Sequence, residues 1–209
     1  MPSTTTLLLF GLATLILTAS PGPGVLYLTA RSVAHGRRGG FASMIGIESG
    51  ELVWLAATAT GLAALLAASA AALTVLRFAG AAYLIFLGVQ RWRRSGALAV
   101  PKPAPSSGIV IQGFLTQIVN PKVAIFFLAF LPQFLNPSQP IAPQVLALGI
   151  VYIAVALIVD TTYVLTASGL SRRLLRRPSA QRQTARFAAA TYIALGIAAA
   201  AVGEQPAPG

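Results

Sequence analysis

Four carboxylates are all the acid this chain of 209 residues carries: Glu48, Glu51, Asp160 and Glu204. Cysteine is absent and His35 is the one histidine, which excludes disulfides, thiolate nucleophiles and Cys/His metal clusters. A catalytic constellation therefore has little to be built from, and the chain is not expected to be an enzyme or to hold a cofactor or metal. Charged residues make up only 9% of it, where a globular chain carries about 25%. Apolar residues make up 56%, and the mean hydropathy is +0.77. So few polar side chains cannot cover a water-facing surface, and the composition reads as that of an integral membrane protein.

What is present is a series of long apolar runs. A hydrocarbon core of about 30 Å needs roughly 20 helical residues, and six runs approach or exceed that length. Their cores fall near 5–29, 41–67, 72–90, 109–131, 144–167 and 187–203. The expected fold is all-α: six transmembrane helices in one domain spanning 1–209, with no room for a separate soluble unit. A cleaved signal peptide is the alternative for the first run. No Lys or Arg precedes that run, however, and apolar sequence resumes after its break, which favours a retained span.

The net charge of +11 is distributed unevenly. The loops expected at 31–40, 91–108 and 168–186 share one side if the spans alternate. They hold Arg31, Arg37 and Arg38, then Arg91, Arg93, Arg94 and Lys102, then Arg172, Arg173, Arg176, Arg177, Arg182 and Arg186, thirteen of the fifteen basic residues. Arg77 stands alone on the other side, where it is expected to snorkel, and Lys122 lies within a span. By the positive-inside rule the basic side is cytoplasmic and both termini face outward. Without a soluble basic face, the charge does not imply nucleic acid. The partners expected are the lipid bilayer, a small-molecule substrate and protons.

The stretch 99–107, rich in Pro and Ser, cannot continue a helix and reads as a linker between halves at about 1–98 and 108–203. Each half holds three spans, an odd number, so similar halves would be inverted repeats. Each half also opens with a proline-interrupted helix: Ser20-Pro21-Gly22-Pro23-Gly24 in the first span, and Asn120-Pro121-Lys122, 100 positions after Pro21, in the fourth. A break inside the bilayer frees backbone groups that must be satisfied internally or by a ligand. Beyond each break a half-helix N-terminus suits a carboxylate. Pro23 fits a first helical turn, Asn120 can bond freed backbone groups, and Lys122 adds a full charge. The bland alternative is a kink filled by neighbouring helices.

Carboxylates are costly at mid-membrane and usually face a cavity or partner there. Glu48 and Glu51, three apart, share one helical face. They repel when both are ionised, so one is expected to carry a proton, which suits proton coupling. Pairing with nearby arginines at the cytoplasmic mouth is the alternative. Asp160 stands alone in its span. Gly46 and Gly50 form a small-residue face suited to close helix packing, and such faces also permit a homodimer.

Together these residues resemble the LysE/RhtB amino-acid exporters over nearly the whole chain. The resemblance rests on Ser20-Pro21-Gly22-Pro23, on the run from Arg77 to Gly88, and on Gly113 to Lys122 continuing into Phe130-Leu131-Pro132-Gln133-Phe134. It implies a bacterial inner-membrane carrier that exports amino acids, neutral, basic or homoserine-like, driven by the proton gradient. It also places a fifth-span aspartate at Asp160. The chain departs from the family pattern at Gly24, where a polar residue is usual, and at Glu48, where a small or apolar one is. On this reading Ser20, Pro21, Gly22, Pro23, Gly24, Asn120, Pro121, Lys122 and Asp160 bind substrate, and Glu48 and Glu51 couple protons. A channel, or a related carrier of metal ions or lipid-linked substrates, is the rival reading.

Overall fold

The computed structural model of the chain describes residues 2–68, 70–93, 108–136, 138–169 and 178–201. The linker 99–107, Arg94, Lys102, the arginines at 172–177 and Glu204 lie outside the described residues, as do the side chains of Arg77 and Arg91. All regular structure among the described residues is helical: α1 (Thr4–Ala19), α2 (Pro23–Ala68), α3 (Ala70–Arg93), α4 (Ile109–Ile118), α5 (Pro121–Ile125), α6 (Ile141–Ser168) and α7 (Pro178–Ala201). A π-helical turn, Phe126–Phe130, and a 3-10 turn, Leu131–Phe134, extend α5.

Among the described residues only α6 is long and apolar enough to cross a membrane as one unbroken helix. At 1.5 Å per residue its 28 residues reach about 42 Å, against a core of about 30 Å. Only 33% of its most apolar stretch is buried, and Leu146, Ile150 and Ile158 point outward, as lipid-facing positions do. α1 with α2, and α4 with α5 and its extension, pass the same test as bent pairs, at 55° and 47°. α1 likewise exposes Leu8, Leu12 and Leu15. Contiguous exposed apolar surface of this kind belongs in a bilayer rather than in water.

The segment 31–40, expected as a loop, is helical instead. α2 runs through it with a single non-helical residue, Gly36, whose φ of 65° is open to glycine without strain. Helix continues because Arg and His are adequate helix formers, and Ser32 and Ser43 satisfy their hydroxyls on the backbone of the preceding turn. The basic segment is thus a helical corner, with Arg37 and Arg38 exposed and Arg31 buried.

Contacts fix the relative directions of the helices. Beyond Gly36, α2 runs antiparallel to α6: Gly40 abuts Val164, Thr161 donates to the Met44 sulfur, Glu51 meets Tyr152, and Leu55 fills the space beside Gly149. The same part of α2 lies parallel to α4, with Ser43 and Gly46 against Gly113 and Gly50 against Gln117. A Cβ at Gly46 would strike the α4 backbone at Val110, so the small-residue face is where these helices close. α1 lies parallel to α6, Gly11 touching Val151 and Ala19 meeting Tyr163. α3 and α7 pair antiparallel through two glycines: Gly88 sits against Ile193 and the Ala189 carbonyl, and Gly196 against Ile85 and the Ala81 carbonyl.

Candidate functional site

The first break opens because Ser20-Pro21-Gly22 cannot continue α1: Pro21 clashes with the preceding turn and has no N–H. α1 ends at Ala19, and α2 restarts at Pro23, whose missing N–H is no loss in a first helical turn. Two carbonyls freed at the end of α1 are taken by side chains from the other half. Tyr163 Oη on α6 donates to the Ala19 carbonyl at 2.8 Å, and Lys122 Nζ on α5 donates to the Ser20 carbonyl at 2.7 Å. The second break has the same logic. α4 ends at Ile118, Asn120 caps α5 by accepting from Lys122 N at 3.2 Å, and Pro121 takes the first helical position. Trp54 Nε1 on α2 reaches the Gln117 carbonyl at 3.4 Å, which also accepts from Asn120 N at 3.1 Å. The two breaks therefore lie side by side, bridged by Lys122.

Between them is a small cavity. Its charged lining is Glu51 from α2, Lys122 from α5 and Asp160 from α6, each no more than 6% exposed. Gly24 and Val25, the first residues of α2 with an N–H, also line it, and first-turn N–H groups have no partner within their own helix. Polar contacts hold the acidic wall. Glu51 Oε1 accepts from Gln117 Nε2 at 2.5 Å and from Tyr152 Oη at 3.1 Å, and Gln117 Oε1 accepts from Asn120 Nδ2 at 3.1 Å. Glu51 Oε2 and the Ser20 hydroxyl are buried with no hydrogen-bond partner. Glu48 is buried too, with both oxygens unpartnered, but it does not line the cavity.

Tyr152, which lines the cavity, belongs to an aromatic cluster. The Tyr152 ring packs against Phe127 and Phe126, with centroids 4.7 and 5.4 Å away, and Phe10, Phe130 and Phe134 continue this cluster. Toward the N-terminus of α4, Tyr27 Oη donates to the Ile109 carbonyl at 2.8 Å, while Arg31 lies over the Tyr27 ring and donates to Gln112.

The structure thus brings Gly24, Asn120, Lys122 and Asp160 to one cavity, with Ser20 held beside it by its bond to Lys122. Pro21, Gly22, Pro23 and Pro121 shape the breaks without lining the cavity, and the Glu48/Glu51 pair is split, one inside and one outside. Gln117 and Tyr152 were not singled out from the sequence. A polar side chain amid apolar residues was the available signal for Gln117. For Tyr152 it was the eight-residue spacing to Asp160, a little over two turns along α6. Gly24 also gains a reason: a Cβ there would stand 2.6 Å from Gln117 Oε1, so a larger residue displaces the amide that holds Glu51.

Buried acids and a lysine converge where two broken membrane helices meet, an arrangement suited to holding a small charged solute. The chain belongs to the LysE type translocators, a family that matches residues 6–203. It is 32% identical over 163 residues to a homoserine/homoserine lactone efflux protein of Salmonella typhi, covering 77% of this chain and 79% of that one. It is 28% identical over 189 residues to an uncharacterized membrane protein of Vibrio cholerae, covering 89% and 92%. A leucine efflux protein of Salmonella choleraesuis is 25% identical over 124 residues, covering 57% and 58%. No solved structure matches this chain.

Proposed function

We propose that the protein exports amino acids, neutral, basic or homoserine-like, from the bacterial cytoplasm across the inner membrane, and that the proton gradient drives it. The observation that carries this reading is the bridge from Lys122 Nζ to the Ser20 carbonyl, which joins the two breaks beside Glu51 and Asp160. An α-amino acid is a zwitterion, and the cavity offers each end a partner. Its carboxylate meets Lys122 and the N-terminus of α2; its ammonium meets Asp160. Glu48, buried next to Glu51 but outside the cavity, carries the proton. Family membership and the efflux relatives support the direction of transport.

The proposed architecture is six spans in two inverted repeats, basic side inward and both termini outward. Its support is in the contacts. α1 lies along α6 as α4 lies along α2, which an in-plane two-fold axis would interchange. Gly88 meets Ile193 and Ala189 just as Gly196 meets Ile85 and Ala81, the same residue types in reversed roles. Tyr163 bonds the first break and Trp54 the second, each three residues after a cavity carboxylate, Asp160 and Glu51.

Counterflow of labelled amino acids into preloaded proteoliposomes tests the activity, since a carrier exchanges saturably where a channel does not. Pro21→Ala restores a continuous helix and removes the break. Its counterflow is expected to fall at least tenfold at normal membrane abundance, and undiminished exchange would sink the proposal.

A further inference from the structure

The two glutamates three residues apart on α2 do not do the same job. We infer that Glu51, through its buried Oε2, is a substrate-binding carboxylate that receives the α-ammonium group together with Asp160. The inference deepens the amino-acid export reading and rests on it.

Three observations separate Glu51 from Glu48. Glu51 lines the cavity and Glu48 does not, although both are buried. The two oxygens of Glu51 are used differently. Oε1 is pinned by donors from two other helices, Gln117 Nε2 of α4 and Tyr152 Oη of α6, while Oε2 is left buried with no such donor, the neighbouring acid Glu48 apart. A buried acceptor beside a cavity is costly unless something supplies its donor. An α-ammonium group brings three N–H donors and a positive charge, enough to serve Glu51 and Asp160 at once.

The third observation is positional. Asp160 precedes by three residues the Tyr163 that bonds the first break, and Glu51 precedes by three the Trp54 that bonds the second. Glu51 is therefore the first-half counterpart of Asp160. The same correspondence sets Glu48 opposite Leu157, an apolar residue, so Glu48 has no acidic equivalent. Gln117 and Tyr152 act on the substrate only through Glu51 and are positioning residues.

The test compares ligands that differ only at the ammonium group. The standard amino acids and homoserine are screened by counterflow with the wild-type protein. An exchanged amino acid and its α-hydroxy analogue, for leucine leucic acid, are then used as competing inhibitors. Wild type is expected to prefer the amino acid by about 100-fold or more, because a site built for a polar group rejects the analogue lacking it. Glu51→Gln is expected to narrow that preference at least tenfold while leaving inhibition by the hydroxy acid nearly unchanged, a split that general loss of structure would not produce. Glu48→Gln is expected to keep the wild-type preference. Where Glu51→Gln fails to reach the membrane, Glu51→Asp, one methylene shorter, takes its place with the same expected narrowing. A full preference in the Glu51 variant of an exchanging protein overturns this assignment and leaves the export reading standing. Absence of counterflow for every amino acid in wild type overturns both.

Discussion

Replacing Lys122 with Met tests the joint between the two breaks and the anion end of the cavity together. The side chain is 5% exposed, its ammonium donates to the Ser20 carbonyl at 2.7 Å, and it lines the cavity opposite two carboxylates. Methionine keeps the length and flexibility but supplies no donor. Two losses follow, and they are read by different instruments. The Ser20 carbonyl loses its partner where no water replaces it, about 1 to 3 kcal/mol. Folding recovers part of this because an ammonium group no longer has to be buried. The substrate loses a charge-assisted hydrogen bond to its carboxylate, about 1.5 to 3 kcal/mol, and nothing offsets that. At 1.4 kcal/mol per decade the loss is about 10- to 100-fold in affinity. The expected result in proteoliposomes is therefore a KM for counterflow raised by that factor, with membrane abundance near wild type. An unchanged KM at equal abundance would refute the reasoning, because the lysine would then be only a structural bridge.

Gly24→Ala brings a Cβ to 2.6 Å from Gln117 Oε1, the mobile end of a side chain, so the amide swings away at little cost to folding. It is expected to insert normally yet to lose about tenfold in counterflow affinity through misplacement of Glu51, measured as KM beside detergent-solubilised stability. A reporter active only in the cytoplasm, fused after Gly209, is expected to be silent, and a strong signal would reverse the proposed orientation.

Both helix breaks were legible in the sequence because proline and glycine inside an apolar run have few other readings. The convergence of Lys122, Asp160 and Ser20 was less so, since it depends on which helices touch. On the proposed inverted repeat, corresponding positions in the two halves are separated by 100 residues at Pro21 and Pro121, by 109 at Glu51 and Asp160, and by 108 at Gly88 and Gly196. No single shift aligns them all, so only the first correspondence showed. Segment 31–40 was misread as a loop because charge alone was taken to end a helix. Its arginines sit on a helical corner, with Arg31 folded inward over Tyr27 and bonded to Gln112. The division between Glu48 and Glu51 was illegible for a different reason. Three-residue spacing puts them on one face but leaves them offset by about 60° around a helix of 3.6 residues per turn, enough for one to reach the cavity and the other to miss it.

The most direct test of the account is gradient-free counterflow by Asp160→Asn. The substitution changes little volume, and among the described residues no hydrogen bond of the Asp160 carboxylate holds the fold. Without the anion that receives the substrate ammonium, exchange is predicted to vanish even with no proton gradient to be coupled, while the protein still reaches the membrane. Wild-type exchange by that variant would contradict the claim that the paired helix breaks enclose an amino-acid site.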